Sequence, residues 1–144
     1  MKMIIRLVLV PALLLGMSWS SSAQQKDGLR KLMLEKLDRS KTVLEGIALA
    51  DFRKITTSAE KLIQLSKTAE WFVHKTPRYE LHTNEFRRAA ENLIDRAQAK
   101  NLDGVTLAYF DLTMACVRCH QYVREVRDAR LVVPGAVQLA HAKP

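Results

Sequence analysis

The sequence predicts an all-α protein, an antiparallel up-down four-helix bundle. Gly and Pro are scarce, with five and four among 144 residues, so few positions break a helix. No stretch alternates apolar and polar residues as a half-buried strand does. Apolar residues instead recur at helical spacing in four segments, and short links between such segments make neighbouring helices antiparallel.

Before the first helix, residues 1–23 are predicted to be a cleaved signal peptide. A basic start precedes an apolar run from Leu7 to Met17, and small residues lead up to a cleavage point after Ala23. The run is shorter than the roughly 20 apolar residues of a membrane-spanning helix. We therefore expect an exported, periplasmic protein that begins near Gln24 and is not embedded in a membrane after cleavage. An uncleaved membrane anchor is the alternative.

The first helix is predicted from about Asp27 to Glu45, and Gly46 marks its end. Small residues within the apolar stripe leave room for a bulky group inside the bundle. The stripe consists of Leu29, Leu32, Met33, Leu37, Ser40, Leu44 and Ile47.

The second helix is predicted to begin at Asp51, a favourable N-cap residue. Thr76 and Pro77 end it, because the residue before a proline is disfavoured in helical geometry. The apolar stripe of this helix consists of Phe52, Ile55, Ala59, Leu62, Ile63, Ser66, Ala69 and Val73.

The third helix is predicted from near Thr83 to Asn101, a residue that tolerates a left-handed stop. Asp103 caps the fourth helix, which runs to about Ala129. The third stripe consists of Phe86, Ala89, Ala90, Leu93, Ile94 and Ala97. The fourth consists of Tyr109, Leu112, Cys116, Cys119, Val123 and Val126. Residues 24–129 thus form one bundle domain, and we expect 130–144 to be a C-terminal tail, with disorder left open.

The fourth helix carries the motif Cys-Val-Arg-Cys-His at residues 116–120, the attachment signature of a c-type haem. Residues three apart lie on one face of a helix, so both thiols can add to the two haem vinyl groups. The next residue, His120, is then placed to bind the iron as its proximal ligand. The sequence predicts one haem c per chain, covalently attached through Cys116 and Cys119.

Three other interpretations of this motif are weaker. A thioredoxin-like redox pair is expected in a βαβ setting, which the pattern lacks. A structural zinc site needs about four ligands, and the sequence has no second cluster of Cys and His. A disulfide between residues three apart closes almost no loop and stabilises little.

With this motif in its last helix, the chain resembles the cytochrome c′ family of bundle cytochromes. The resemblance covers about Asp27 to Arg130 and includes Arg124, four residues after His120. Most soluble cytochromes c instead carry the motif near the N-terminus and a Met ligand downstream, whereas no Met follows His120 here. The resemblance implies a four-helix fold, covalent haem and a periplasmic role.

Met33 is predicted to be the distal iron ligand. With antiparallel first and fourth helices and a rise of 1.5 Å per residue, Met33 and His120 each lie ~10 Å from the same end of the bundle. The resemblance implies that this position covers the distal haem face, with a Met ligand in low-spin members and no bond in cytochromes c′ proper. Simple core filling by Met33 is the alternative.

Three aromatic side chains, those of Trp71, Phe72 and Phe86, are expected at the same level of the bundle and so are predicted to wall the haem pocket. Plain core packing is the alternative. Arg124, one turn after His120, is predicted to hold a propionate or restrain the imidazole. The alternative, equally favoured, is that Arg124 is only a solvent-exposed cation near the C-terminal end of the helix, where the helix dipole favours positive charge.

The remaining histidines and one methionine are weaker ligand candidates. His74 and His82 flank the expected loop at Pro77, where we expect them to be exposed polar residues. Met114 is expected to point away from the iron, and His141 lies in the predicted tail.

These residues favour a single-haem electron carrier, because Met and His ligation raises the haem potential. No paired carboxylates or nucleophile and base pair are visible, so we do not predict an enzyme. If Met33 does not bind, a five-coordinate iron would suit nitric oxide or carbon monoxide. If no haem is attached, a helical interaction module remains.

The charge pattern bears on the partners of this chain. The net charge is +8, and the basic residues are spread along the sequence, which argues against nucleic-acid binding. A mildly basic surface suits docking with acidic redox partner proteins. Pairing through the outer helices into a homodimer is left open.

Overall fold

The computed structural model describes residues 20–68 and 71–132, and side chains within 24–68 and 71–129. It contains the α-helices α1 Ser20–Ala48, α2 Phe52–Leu65, α3 Pro77–Gln98 and α4 Leu102–Val132. These two ranges contain no strand, so the all-α prediction is confirmed.

Ion pairs between the helices give the direction of each helix. Between α1 and α2, Lys54 Nζ lies 2.9 Å from Glu45 Oε1, and Lys61 Nζ lies 3.8 Å from Glu35 Oε1. The partner number falls as the residue number rises, so the two helices are antiparallel. The same order holds between α3 and α4, where the pairs are Arg78–Glu125 at 3.1 Å and Glu85–Arg118 at 3.6 Å.

All four helices contribute to one apolar core, as expected for a bundle. Helices that follow one another in sequence pack closely, whereas α1 and α4, which close the bundle, contact each other only sparsely. The bundle is therefore less tightly closed along the α1/α4 seam. The largest side chains that are almost fully buried include Val43, Ile55, Leu62, Trp71, Phe86, Leu93, Val105 and Leu112.

The buried face of α1 differs from the predicted stripe. Leu37 and Leu44 were expected in the core but are 53% and 52% exposed, whereas Lys36 and Val43 are buried. The reason is the close approach of α2. A Cβ atom at Gly46 would lie 2.7 Å from Ile55 Cγ1, so α1 turns its glycine face toward α2. Gly46 is thus a packing residue inside α1 and does not end the helix.

The boundary between α2 and α3 also differs from the prediction. Pro77 does not end the second helix; it is an early residue of α3, where its missing N–H is not needed. Thr76 is the N-cap, and its hydroxyl accepts a hydrogen bond from the Tyr79 amide at 3.2 Å. Thr83, predicted to begin the third helix, therefore lies inside α3. Helix α2 ends well before this cap, at Leu65.

Helices α1 and α4 extend further than predicted. Asn101, not Asp103, caps α4, because its Oδ1 accepts a hydrogen bond from the Gly104 amide at 2.8 Å. The helix continues to Val132, beyond the predicted end at Ala129. At the other terminus α1 begins at Ser20, so the predicted cleavage point lies within this helix.

The predicted signal-peptide core and most of the predicted tail lie outside the described residues. Signal cleavage therefore stays a prediction. Within residues 20–68 and 71–132, no helix is both long enough and apolar enough to cross a membrane.

Replacing Lys100 with glycine is expected to stabilise the protein. Lys100 has φ 54°, a left-handed conformation that costs a residue with a Cβ atom about 1–2 kcal/mol. Glycine avoids this cost but loses more entropy on folding, so we expect a net gain of about 0.5–1 kcal/mol in urea unfolding. Glu91→Gly, at an exposed position within α3, should lower stability by about 1 kcal/mol. A loss of stability in Lys100→Gly would contradict the prediction.

Candidate functional site

A groove of about 500 Å³ runs between α1 and α4, along the seam where these helices contact sparsely. The groove is open to solvent, and its lining is mainly apolar. Its α1 side consists of Arg30, Met33, Leu34, Lys36, Leu37 and Ser40, and its α4 side of Tyr109, Thr113, Cys116 and His120.

The α4 side of the groove contains the C-x-x-C-H motif. Cys116 is half-buried and lines the groove, whereas Cys119, one turn later, is buried toward the core. Both thiols are free, and the His120 imidazole lines the groove from a largely exposed position. The helix thus presents two thiol sulfur atoms and one imidazole within two turns.

The α1 side presents Met33 to the same groove. Its side chain is half-buried and packs against the core cluster. Met33 and His120 therefore line one cavity, in agreement with their predicted level along the bundle. Met114, which the sequence placed away from the site, is half-buried and does not line this groove.

Lys36 is the site residue that the sequence analysis missed. It lies one turn after Met33, is 6% exposed, and lines the groove. Its ammonium nitrogen is 4.4 Å from the Trp71 ring centroid and 4.0 Å from the Phe86 ring centroid, which are cation–π distances. A lysine is ordinarily a surface residue, so its residue type did not indicate burial. The signal in the sequence was its helical spacing, four residues after Leu32 and seven before Val43.

Trp71 and Phe86, predicted to wall the haem pocket, pack against each other in the core, and neither is among the residues that line the groove. Their ring centroids are 5.2 Å apart and both side chains are 1% exposed. Two hydrogen bonds hold Trp71: its Nε1 donates to Thr83 Oγ1 at 2.9 Å, and its carbonyl accepts from the Tyr79 hydroxyl. Burial, followed by the nearby Cys119 thiol, raises the pKa of Tyr79 to about 12.

Phe72 does not join this cluster. Half of its surface is exposed, and it lines a second cleft with His74, Tyr79 and Arg87 on another part of the bundle. The loop after α2 turns Trp71 inward, so the next side chain points outward. The position of these residues along the bundle, estimated from the sequence, could not show that Trp71 points inward and Phe72 outward.

His82 is buried and not exposed, because α3 begins earlier than predicted and carries it into the α3/α4 interface. Its Nδ1 lies 3.1 Å from Glu85 Oε2, and its Nε2 is buried without a hydrogen-bond partner. The same Glu85 oxygen lies 3.6 Å from Arg118 Nε, so a residue inside the C-x-x-C-H motif forms an ion pair with α3. This contact helps to set the rotation of α4 about its axis.

The other candidates are placed as follows. His74 is half-buried in the loop before α3, with its ring 5.3 Å from that of Tyr79, so it is less exposed than expected. Arg124 is exposed and interacts electrostatically with His120. His141 lies outside the described residues.

The charges at the site influence one another. Burial raises the pKa of the Cys119 thiol, although the Lys36 ammonium lowers it in part. Burial lowers the pKa of Lys36, and the Cys116 and Cys119 thiols oppose that change. The pKa of His120 is lowered by partial desolvation and then by the positive charges of Lys36 and Arg124. The imidazole is therefore favoured in its neutral form, which is the form that binds metals.

No cluster of three or more His, Cys, Asp or Glu side chains that would hold a metal ion occurs in the described part of the chain. Comparisons with protein-family models, with curated proteins and with solved structures found nothing that matches this chain. The groove and the residues that line it are therefore the basis for assigning a function.

Proposed function

We propose that this protein is an exported, single-haem c-type cytochrome that carries electrons. The observation that carries the proposal is the groove between α1 and α4, which is lined by Cys116 and His120 on one side and Met33 on the other. Haem c, attached through Cys116 and Cys119, supplies an iron centre that gains and loses one electron. No enzymatic activity is proposed.

The residues present fit a haem group. Two free thiols lie one helical turn apart, and the neutral imidazole of His120 follows directly. The groove volume of about 500 Å³ lies within the range of about 300–1,000 Å³ typical of small-ligand and cofactor clefts. The sparse contact between α1 and α4 leaves the seam free for a planar group to complete the core.

Met33 and the groove walls support electron carriage. A thioether sulfur opposite an imidazole gives the ligand pair that raises haem potentials. Trp71 and Phe86 provide rigid, dry packing behind the groove, which favours a small structural change between redox states. Arg30 in the groove lining and Arg124 beside His120 add positive charge, which suits an acidic redox partner.

Covalent haem attachment is the direct test of this proposal. We expect the full chain, produced with a cytochrome c maturation system in a bacterial periplasm, to retain haem peroxidase stain on a denaturing gel. A Cys116→Ser/Cys119→Ser double variant should lose the stain, because no thioether can form. Val117→Ala, within the same motif, should keep it.

Unstained wild-type protein would overturn the proposal and leave a helical interaction module. Stained protein with a high-spin spectrum and ready carbon monoxide uptake would instead favour a five-coordinate binder of nitric oxide or carbon monoxide. The apolar groove lining next to Met33, which includes Leu34 and Leu37, has the character expected for such a gas site.

A further inference from the structure

Lys36 holds a positive charge in the interior of the bundle. The residue is 6% exposed, and its ammonium group lies over the faces of Trp71 and Phe86 at 4.4 and 4.0 Å. The aromatic faces carry partial negative charge, so they stabilise an ammonium between them. Both rings are held in place, since each is 1% exposed.

No carboxylate among the described side chains forms an ion pair with Lys36. Glu85, which lies near Cys119, is engaged by His82 and Arg118 instead. A buried charge without a counter-ion is costly. Lys36 is not needed to fill space, because an apolar side chain of similar length would pack there without that cost. The retained charge therefore suggests a role in the groove itself.

The Lys36 ammonium acts on the residues that would bear the haem. It interacts electrostatically with both motif thiols, Cys116 and Cys119, and with His120. Thioether bonds at these two sulfur atoms join the protein directly to the porphyrin edge. Lys36 also lines the same groove as Cys116 and His120, so it lies beside the space in which the porphyrin would bind.

We propose that Lys36 is a fixed internal charge that raises the reduction potential of the haem bound in this groove. The proposal rests on the function proposed above. Reduction adds one electron and lowers the positive charge on the iron centre by one, so a nearby cation favours the reduced state. The effect is large in a buried site, because the interior screens charge less than water does. In this proposal Lys36 acts through its positive charge and is not an iron ligand.

The test compares Lys36→Met, which removes the charge and keeps the length, with wild type. At a fixed solution potential we expect the ratio of reduced to oxidised protein to fall about tenfold, which corresponds to about 59 mV for one electron. Lys36→Arg should keep the potential close to wild type, because it keeps the charge. Lys41→Met, an exposed charge loss on the same helix, should change the ratio far less.

A second measurement does not need the haem. In the cofactor-free chain that begins at Gln24, Trp71 is the only tryptophan. Its fluorescence should change in Lys36→Met and stay constant in Lys41→Met, since Lys36 lies over the ring whereas Lys41 is exposed. Circular dichroism confirms that each variant folds, and Lys36→Gln serves as a second neutral variant.

The outcomes separate this proposal from the proposed function. Absence of covalent haem in wild type would overturn both. Covalent haem with the same potential in wild type and Lys36→Met would overturn only the role of Lys36. Equal shifts in Lys36→Met and Lys36→Arg would also overturn it, because they would show an effect of packing and not of charge.

Discussion

Replacing Met33 with alanine is expected to convert the haem-loaded protein from a low-spin to a high-spin form. Met33 lines the groove opposite His120, and alanine offers no sulfur atom to the iron. The near-infrared band of Met–iron bonding in the oxidised form should disappear, and carbon monoxide should bind readily to the reduced form. The reduction potential should fall on the order of 0.1 V, within the range of about 0.8 V that axial ligands span.

Met114→Ala is the matched control for this experiment. Met114 is also half-buried but lies on α4 outside the groove lining, so its loss should leave the spectrum unchanged. A high-spin spectrum that is the same in wild type and in Met33→Ala would show that Met33 only packs in the core. The gas-binding function would then be favoured over electron carriage.

Replacing Phe86 with alanine is expected to lower the free energy of unfolding by about 3–5 kcal/mol. The ring is 1% exposed, packs 5.2 Å from the Trp71 ring and lies beneath the Lys36 ammonium. Its loss removes core packing and also one of the two faces that stabilise the buried charge. Such a loss is a large share of the about 5–15 kcal/mol that stabilises a typical domain. Urea unfolding followed by circular dichroism measures it.

Phe72→Ala provides the comparison, because Phe72 has the same side chain but is half exposed beside a different cleft. We expect its effect to stay below about 1 kcal/mol. Phe86→Leu, which keeps most of the apolar volume, should cost less than about 1.5 kcal/mol. Equal losses in Phe72→Ala and Phe86→Ala would contradict the assignment of these residues to surface and core.

Local patterns in the sequence predicted much of this protein. Helical spacing predicted four helices, and the stripe of the third helix is buried or half-buried as expected, from Phe86 to Ala97. Apolar residues recur at this spacing because one face of each helix is buried away from water. The sequence pattern itself therefore identifies that face. The C-x-x-C-H motif is likewise local, because its three residues lie within two helical turns. Helix geometry also placed Met33 at the level of His120.

Helix boundaries depended on contacts that local patterns do not record. A proline such as Pro77 can follow the end of one helix or lie in the first turn of the next. The N-cap hydrogen bond of Thr76 shows that Pro77 begins α3. This choice moves His82 from a loop to a buried interface. The left-handed residues at the turns, Ala50 and Lys100, are neither Gly nor Asn, so residue type did not reveal them.

The sequence by itself determined the helical class and the place of the C-x-x-C-H motif on the last helix, because both depend on residues close together in the chain. Haem attachment and the ligand roles of His120 and Met33 stay predictions. Only the tertiary structure decided which side of α1 faces inward, since Gly46 lets α2 approach and rotates α1 about its axis. That rotation buries Lys36 and exposes Leu37. Moving a lysine ammonium group out of water costs free energy, so a pattern of apolar residues does not predict a buried lysine. The aromatic faces of Trp71 and Phe86, which come from distant parts of the chain, offset part of this cost.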